Sequence, residues 1–130
     1  MLYHYTFNSY DGQQTLDDEE IRSFLKNTFA TISDEKGFEI LACEILCDHV
    51  HLLIEQNYVL SASGVMKLIK GISARRLFQA YPTNRFEHRK LWGRSFHARK
   101  IKSAEKEIVI QYIKNQRDGQ GIDKRMNQKP

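Results

Sequence analysis

A chain of 130 residues has room for one hydrophobic core rather than two, and 41% apolar with 28% charged residues is ordinary for a globular domain. No apolar run approaches the roughly 20 residues a bilayer crossing needs, and the start, MLYHYTFNSYDG, lacks the basic and long apolar regions of a secretion signal. One cytoplasmic domain without a membrane segment is therefore expected, with Cys43 and Cys47 as reduced thiols.

The net charge of +4 conceals a division along the chain. Residues 1–63 carry 3 Lys or Arg against 11 Asp or Glu, whereas residues 64–117 carry 14 against 3. That second segment interleaves Phe78, Tyr81, Phe86, Trp92 and Phe96 with its cations, a combination that suits a polyanion with stackable bases and equally a solvated basic surface.

In chain order, the aromatic-rich residues 2–8, LYHYTFN, read as a first strand ending at the turn-prone SYDG. Thr15 with Asp18 three residues on resembles a capping box, and Ile21, Phe24, Leu25, Thr28, Phe29 and Ile32 then recur at helical spacing. Residues 38–46 and 49–56 are strand-like runs separated by Cys47-Asp48, which signals a hairpin despite an unfavoured turn pair. From Ser61 to Tyr81 the period is helical again, with Val65, Leu68, Ile69, Ile72 and Leu77 apolar and Pro82 as the stop. Residues 91–101, LWGRSFHARKI, read as a strand. Ser103 then caps a last helix with Glu105 and Glu107 in its first turn and Gly119 beyond its end. The order β-α-β-β-α-β-α predicts an α+β fold: a ferredoxin-like, RRM-like split βαβ with an antiparallel sheet, two helices on one face, and an added C-terminal helix. Residues 1–118 form the expected domain and residues 119–130 a polar tail.

Strand alternation puts His49, His51, Leu53 and Glu55 on one face and Val50, Leu52 and Ile54 on the other, which is the natural core face. Two imidazoles side by side on the open face can bind one metal ion, or can be an incidental surface pair. Cys43 and Cys47 with these histidines would make a zinc set, but turn residues lose the strand's alternation. A His-x-His-x-His hydrolase triad fails because the next alternate position is Leu53. In the last helix, Ile108, Tyr112 and Gln116 lie four apart on one stripe, flanked by Val109 and Ile113. Simple packing accounts for such a stripe. If the helix lies over the open sheet face, Gln116 can instead supply an oxygen ligand beside His49 and His51, with the Tyr112 hydroxyl one turn away.

The blocks DHVHLLIE, LIKGISARRLF, LWGRSFHARKI and VIQYIKNQ, in this order, closely resemble the single-tyrosine HUH transposases of the insertion-sequence 200/605 group. His49-Val50-His51 matches the His-hydrophobic-His motif, and Tyr112 with Gln116 matches the nucleophile motif Tyr-x-x-x-Gln. The likeness runs from about residue 2 to 117. The Cys47-Asp48 pair departs from the commoner Pro-Asn or Pro-Asp, which touches the turn and not the ligands.

The resemblance implies cleavage and rejoining of single-stranded DNA at element ends. Tyr112 would be the nucleophile, a 5′-phosphotyrosine the intermediate, and His49, His51 and Gln116 the ligands of Mg²⁺ or Mn²⁺. It also implies subterminal hairpins as the bound DNA and a homodimer with composite sites, the tyrosine helix of one subunit over the histidines of its partner. Lys67, Lys70, Arg75, Arg76, Arg94, Arg99, Lys100 and Lys102 are the candidates for holding phosphates. The alternatives are a repeat-associated tyrosine transposase, a non-catalytic RRM-like module that binds single-stranded nucleic acid, and a zinc-stabilised dimer domain.

Overall fold

The computed structural model describes residues 1–82 and 90–116. Its elements run β1 (Leu2–Asn8), α1 (Glu19–Lys36), β2 (Glu39–Ile45), β3 (His49–Glu55), α2 (Ala62–Ala80), β4 (His97–Ile101) and α3 (Lys106–Lys114). The strands form one antiparallel sheet in the order β2-β3-β1-β4. Central placement of β1 and β3 is what a split βαβ unit requires, because each crossover helix carries the chain past a neighbouring strand. The expected α+β class holds. Among the described residues no helix is long and apolar enough to cross a membrane. Phe86, Gly119 and the expected tail at 119–130 lie outside the described residues.

Three local expectations change. The cap of α1 is Asp18, whose carboxylate accepts from the Glu20 and Ile21 amides at 2.9 and 3.3 Å, and not Thr15. A carboxylate next to the first turn satisfies two orphan amides and meets the positive end of the helix, so it outcompetes a hydroxyl three residues upstream. The strand expected over 91–101 is shorter. Trp92 makes an isolated bridge to Ser9, and the ladder resumes only at His97. Between the Thr6–His97 pair and the Ser9–Trp92 bridge, β1 has two residues and the facing segment has four, so residues 93–96 bulge out of the ladder, and beyond Ser9 the chain turns into a one-turn 3-10 helix at Tyr10–Gly12. Lys102, not Ser103, precedes the last helical segment, which opens as a 3-10 turn at Ser103–Glu105, and Glu105 Oε1 accepts from the Lys102 amide at 3.1 Å.

The sheet has two differently furnished faces. Tyr5, Phe7, Ile45, Val50, Leu52 and Ile54 point towards α1 and α2 and form the main core with Leu25, Phe29, Ile69 and Leu77. Opposite them, Leu2, Ala42, Leu53 and Ile101 receive Val109 and Ile113 of α3. A register shift between Ile40 and Ala42 in β2 lets Leu41 and Ala42 both face α3 before the alternation recovers at Cys43. The result is three layers: a helix pair, the sheet, and a short helix over half of the remaining face.

Phe29 sits at the centre of the main core, fully buried, with its ring 6.3 Å from Phe7 and 6.2 Å from Trp92 between centroids. Phe29→Ala is expected to cost about 3–5 kcal/mol, a large share of the roughly 5–15 kcal/mol that holds such a domain folded. Chemical denaturation checks this: the midpoint falls while the slope is retained.

Candidate active site

The α3 face divides into rows that follow the strand register. Leu2 pairs with Glu55 and Ile101, His4 with Leu53 and Arg99, Thr6 with His51 and His97, and Asn8 with His49. Leu2, Ala42, Leu53 and Ile101 form the apolar patch of this face and lie under Val109 and Ile113. The upper rows carry His49, His51, Thr6 and His97 and form the polar half.

His49 and His51 lie as their alternation requires, with ring centroids 5.1 Å apart. His51 is only 7% exposed. Burial, then the neighbouring His49 and His4, lowers its pKa from the usual 6.5 to about 4. His4 is lowered too, by burial first and then by Arg99 and His97. Both imidazoles are therefore neutral at physiological pH, the form that binds metals.

Each histidine of the pair uses its Nδ1 within the protein. His49 Nδ1 lies 2.8 Å from Asp48 Oδ1, and His51 Nδ1 lies 3.0 Å from His4 Nε2 and 3.4 Å from Thr6 Oγ1. A carboxylate only accepts, so His49 Nδ1 is the donor, and the neutral form of this ring has its lone pair on Nε2. This donor set fits a divalent cation, since both Nε2 atoms remain for coordination and each ring is held from behind. Among the described residues no group of three His, Cys, Asp or Glu stands together as a metal cluster.

The zinc alternative loses its cysteines. Cys43 faces the main core, where burial pushes its thiol up to about 12, and Cys47 sits in the turn closed by the Leu46 amide to the His49 carbonyl.

Burial of Val109 and Ile113 turns Tyr112 towards the polar half. Its ring stands edge-on to His51 and to His4, at 5.9 Å from each, while half of the residue stays exposed. His4, Thr6, His51, His97, Arg99, Val109 and Tyr112 together line a cavity of about 340 Å³. The helix packs on the sheet of its own chain, so the single chain carries both the histidine pair and the tyrosine. Gln116 is less direct: its Nε2 donates to the Tyr112 carbonyl at 3.1 Å.

The eight basic candidates separate by place. Arg99 alone lines the tyrosine cavity. Lys67, Lys70 and Arg94 line a second cavity of about 520 Å³ beside Phe78, Trp92 and Phe96, on the α2 side of the sheet. There Lys70 Nζ donates to the Ser95 carbonyl at 3.1 Å, and burial lowers its pKa. Arg76 pairs with Glu35 at 3.0 Å, while Arg75, Lys100 and Lys102 are exposed. His4, Thr6 and His97 escaped the sequence reading. Alternation within LYHYTFN would have put His4 and Thr6 opposite Tyr3, Tyr5 and Phe7, but only the β1–β3 register shows that this face is the one that carries His51.

The lowered His51 pKa has a testable consequence in metal-free buffer. The unfolded chain takes up this proton near pH 6.5 and the folded chain only near pH 4. Stability present above pH 6.5 is thus lost as the pH falls towards 4, with His4 contributing in the same direction. Thermal midpoints measured across this range should fall more steeply for the wild type than for His51→Gln.

The chain has relatives among known proteins. The model of the family described as "Transposase IS200 like" matches residues 1–116. The chain is 31% identical over 101 residues to the ISDra2 transposase TnpA of Deinococcus radiodurans, covering 76% of this chain and 72% of that protein. It is 27% identical over 117 residues to the transposase for insertion sequence element IS200 of Salmonella typhimurium, covering 88% and 75%. Among solved structures, a Deinococcus radiodurans R1 protein described as a transposase superposes with a TM-score of 0.72 at 31% identity, covering 89% of this chain and 90% of that one. A REP-associated tyrosine transposase, solved with a REP hairpin, shares the fold at a TM-score of 0.65 and 18% identity, covering 92% and 68%.

Proposed function

The chain belongs to the IS200-like transposase family, and from that premise we propose that it cuts and rejoins single-stranded DNA at insertion-sequence ends through a covalent bond to Tyr112. The observation that carries this reading is the position of the Tyr112 ring, 5.9 Å from His51, in one cavity with Arg99.

In the proposed step the Tyr112 Oη attacks a backbone phosphorus, the bond from phosphorus to the 3′ oxygen breaks, and a 5′-phosphotyrosine and a free 3′-hydroxyl result. The proton lost by the phenol balances the one gained by the leaving oxygen. A later 3′-hydroxyl reverses the attack and frees the tyrosine, so one ester replaces another and no ATP is consumed.

A phenol titrating at about pH 10 is a poor nucleophile at neutral pH, which is why the site needs electrostatic help. When bound, Mg²⁺ or Mn²⁺ polarises the phosphate and stabilises charge on the leaving oxygen. His49 and His51 are its proposed ligands through Nε2. Gln116 is the proposed third: its amide nitrogen is already given to the Tyr112 carbonyl, which leaves Oε1 to coordinate. Arg99, which lines the same cavity, is the proposed cation for a phosphate oxygen. A REP-associated transposase of this fold was solved with hairpin DNA. We extend a hairpin partner to this chain, with the basic and aromatic groove of Lys67, Lys70 and Arg94 as its seat.

The test uses end-labelled single-stranded DNA from the flanks of the chain's own gene, with Mg²⁺, Mn²⁺ or a chelator, resolved on denaturing gels. A labelled protein band that requires the metal is expected. Tight DNA binding without any such band, in either metal, would overturn the catalytic reading in favour of a binding module.

A further inference from the structure

The two histidines of the proposed metal site are held from behind by different partners. For His49 the partner is a carboxylate, Asp48, at 2.8 Å. For His51 it is another imidazole. His4 Nε2 lies 3.0 Å from His51 Nδ1, and the two rings stack at 30° with centroids 5.3 Å apart. We propose that His4 is a positioning residue for the cation site: it accepts the Nδ1 hydrogen of His51 and so selects the tautomer whose Nε2 lone pair can coordinate. The inference rests on the metal reading above.

Proton counting carries the argument. A neutral imidazole has one ring hydrogen, and a hydrogen bond between two ring nitrogens places that hydrogen on one of them. If His4 Nε2 carried it, His51 would accept at Nδ1 and keep its own hydrogen on Nε2, closed to a cation. With the hydrogen on His51 Nδ1, Nε2 is bare and the bond to His4 raises its basicity. Coordination therefore requires His4 to be the acceptor. Thr6 Oγ1 also faces Nδ1 but at 3.4 Å, too far to replace a contact of 3.0 Å.

The fold gives His4 little freedom to leave this role. It stands on the central strand β1, between Leu53 and Arg99 in register and diagonal to His51. Its neighbours Tyr3 and Tyr5 turn to the other face and pack in the main core, which fixes the direction of the His4 side chain. The same ring meets Tyr112 edge-on at 5.9 Å, so one side chain touches both the proposed ligand and the proposed nucleophile.

Two substitutions separate hydrogen bonding from packing. His4→Gln keeps an acceptor oxygen and loses the ring, whereas His4→Phe keeps a stacking ring and loses the acceptor. Mn²⁺ binding to each full-length protein, measured by calorimetry without DNA, reads the effect, and circular dichroism confirms the fold. The Phe variant should bind Mn²⁺ about 10- to 100-fold more weakly than the wild type, with the Gln variant within about threefold. If the Phe variant does not fold, His4→Ala replaces it with the same expectation. A folded Phe or Ala variant that binds like the wild type would overturn the proposal, as would a Gln variant as weak as the Phe variant. A wild type that binds no Mn²⁺ overturns the metal reading together with this inference, so the two failures are told apart.

Discussion

Tyr112→Phe is expected to abolish the covalent protein–DNA adduct and to leave both the fold and DNA binding in place. The substitution removes one oxygen from a ring that is 52% exposed and whose contacts to His4 and His51 are made by ring atoms. Val109 and Ile113, the residues that hold α3 to the sheet, are untouched. The side chain of the Phe variant therefore keeps its place and lacks only the nucleophile. Loss of a nucleophile typically costs well over roughly a thousandfold in rate, which puts adduct formation below detection. The same labelled strands should still be retained by the variant in a filter or fluorescence binding assay. Persistence of the adduct in Tyr112→Phe would assign the chemistry to another residue and remove the observation on which the proposed function stands.

His51→Ala is expected to abolish the adduct as well, by a different route. Removal of a partner behind a metal ligand already costs about 10- to 100-fold, so removal of the ligand itself lies at or above the upper end of that range. The variant should lose Mn²⁺ binding and keep its DNA, whereas Tyr112→Phe should keep both. Mixing these two variants then decides how the site is shared. If two copies pair while α3 stays over its own sheet, as in the described chain, each mixed dimer contains only defective sites and the mixture stays inactive. With helices exchanged between partners, one site in each mixed dimer regains both the intact histidine pair and Tyr112, and adduct formation returns. A recovered adduct would show that α3 acts on the partner's histidines.

The parts of this molecule that were legible in the sequence depend on local periodicity. Alternation in HVHLLIE separates two imidazoles from Val50, Leu52 and Ile54, and that separation holds because the two faces of β3 differ in polarity wherever the strand lies in the sheet. The 3.6-residue period likewise marks α1 and α2, and the order of elements limits the sheet to a few topologies. Capping and strand ends were less legible. Whether Thr15 or Asp18 caps α1, and whether residues 91–96 pair, depends on where a neighbouring segment turns, and that is not encoded within either stretch.

The sequence by itself determined the order of elements and the core face of each strand, and it singled out His49, His51 and Tyr112 as the candidates. Only the tertiary structure decided which residues join them. His4 and Arg99 lie far from His51 along the chain and reach its cavity because β1 pairs with both β3 and β4 in one register. Lys67, Lys70 and Arg94 carry the same charge as Arg99 and were equal candidates on composition. They fall on the opposite side of the sheet because α2 packs there through Val65, Ile69 and Leu77. The physical reason is the range of the forces involved. Backbone periodicity acts over a few residues and can be read along the chain, whereas cross-strand register and helix placement follow from burying two separate apolar clusters at once.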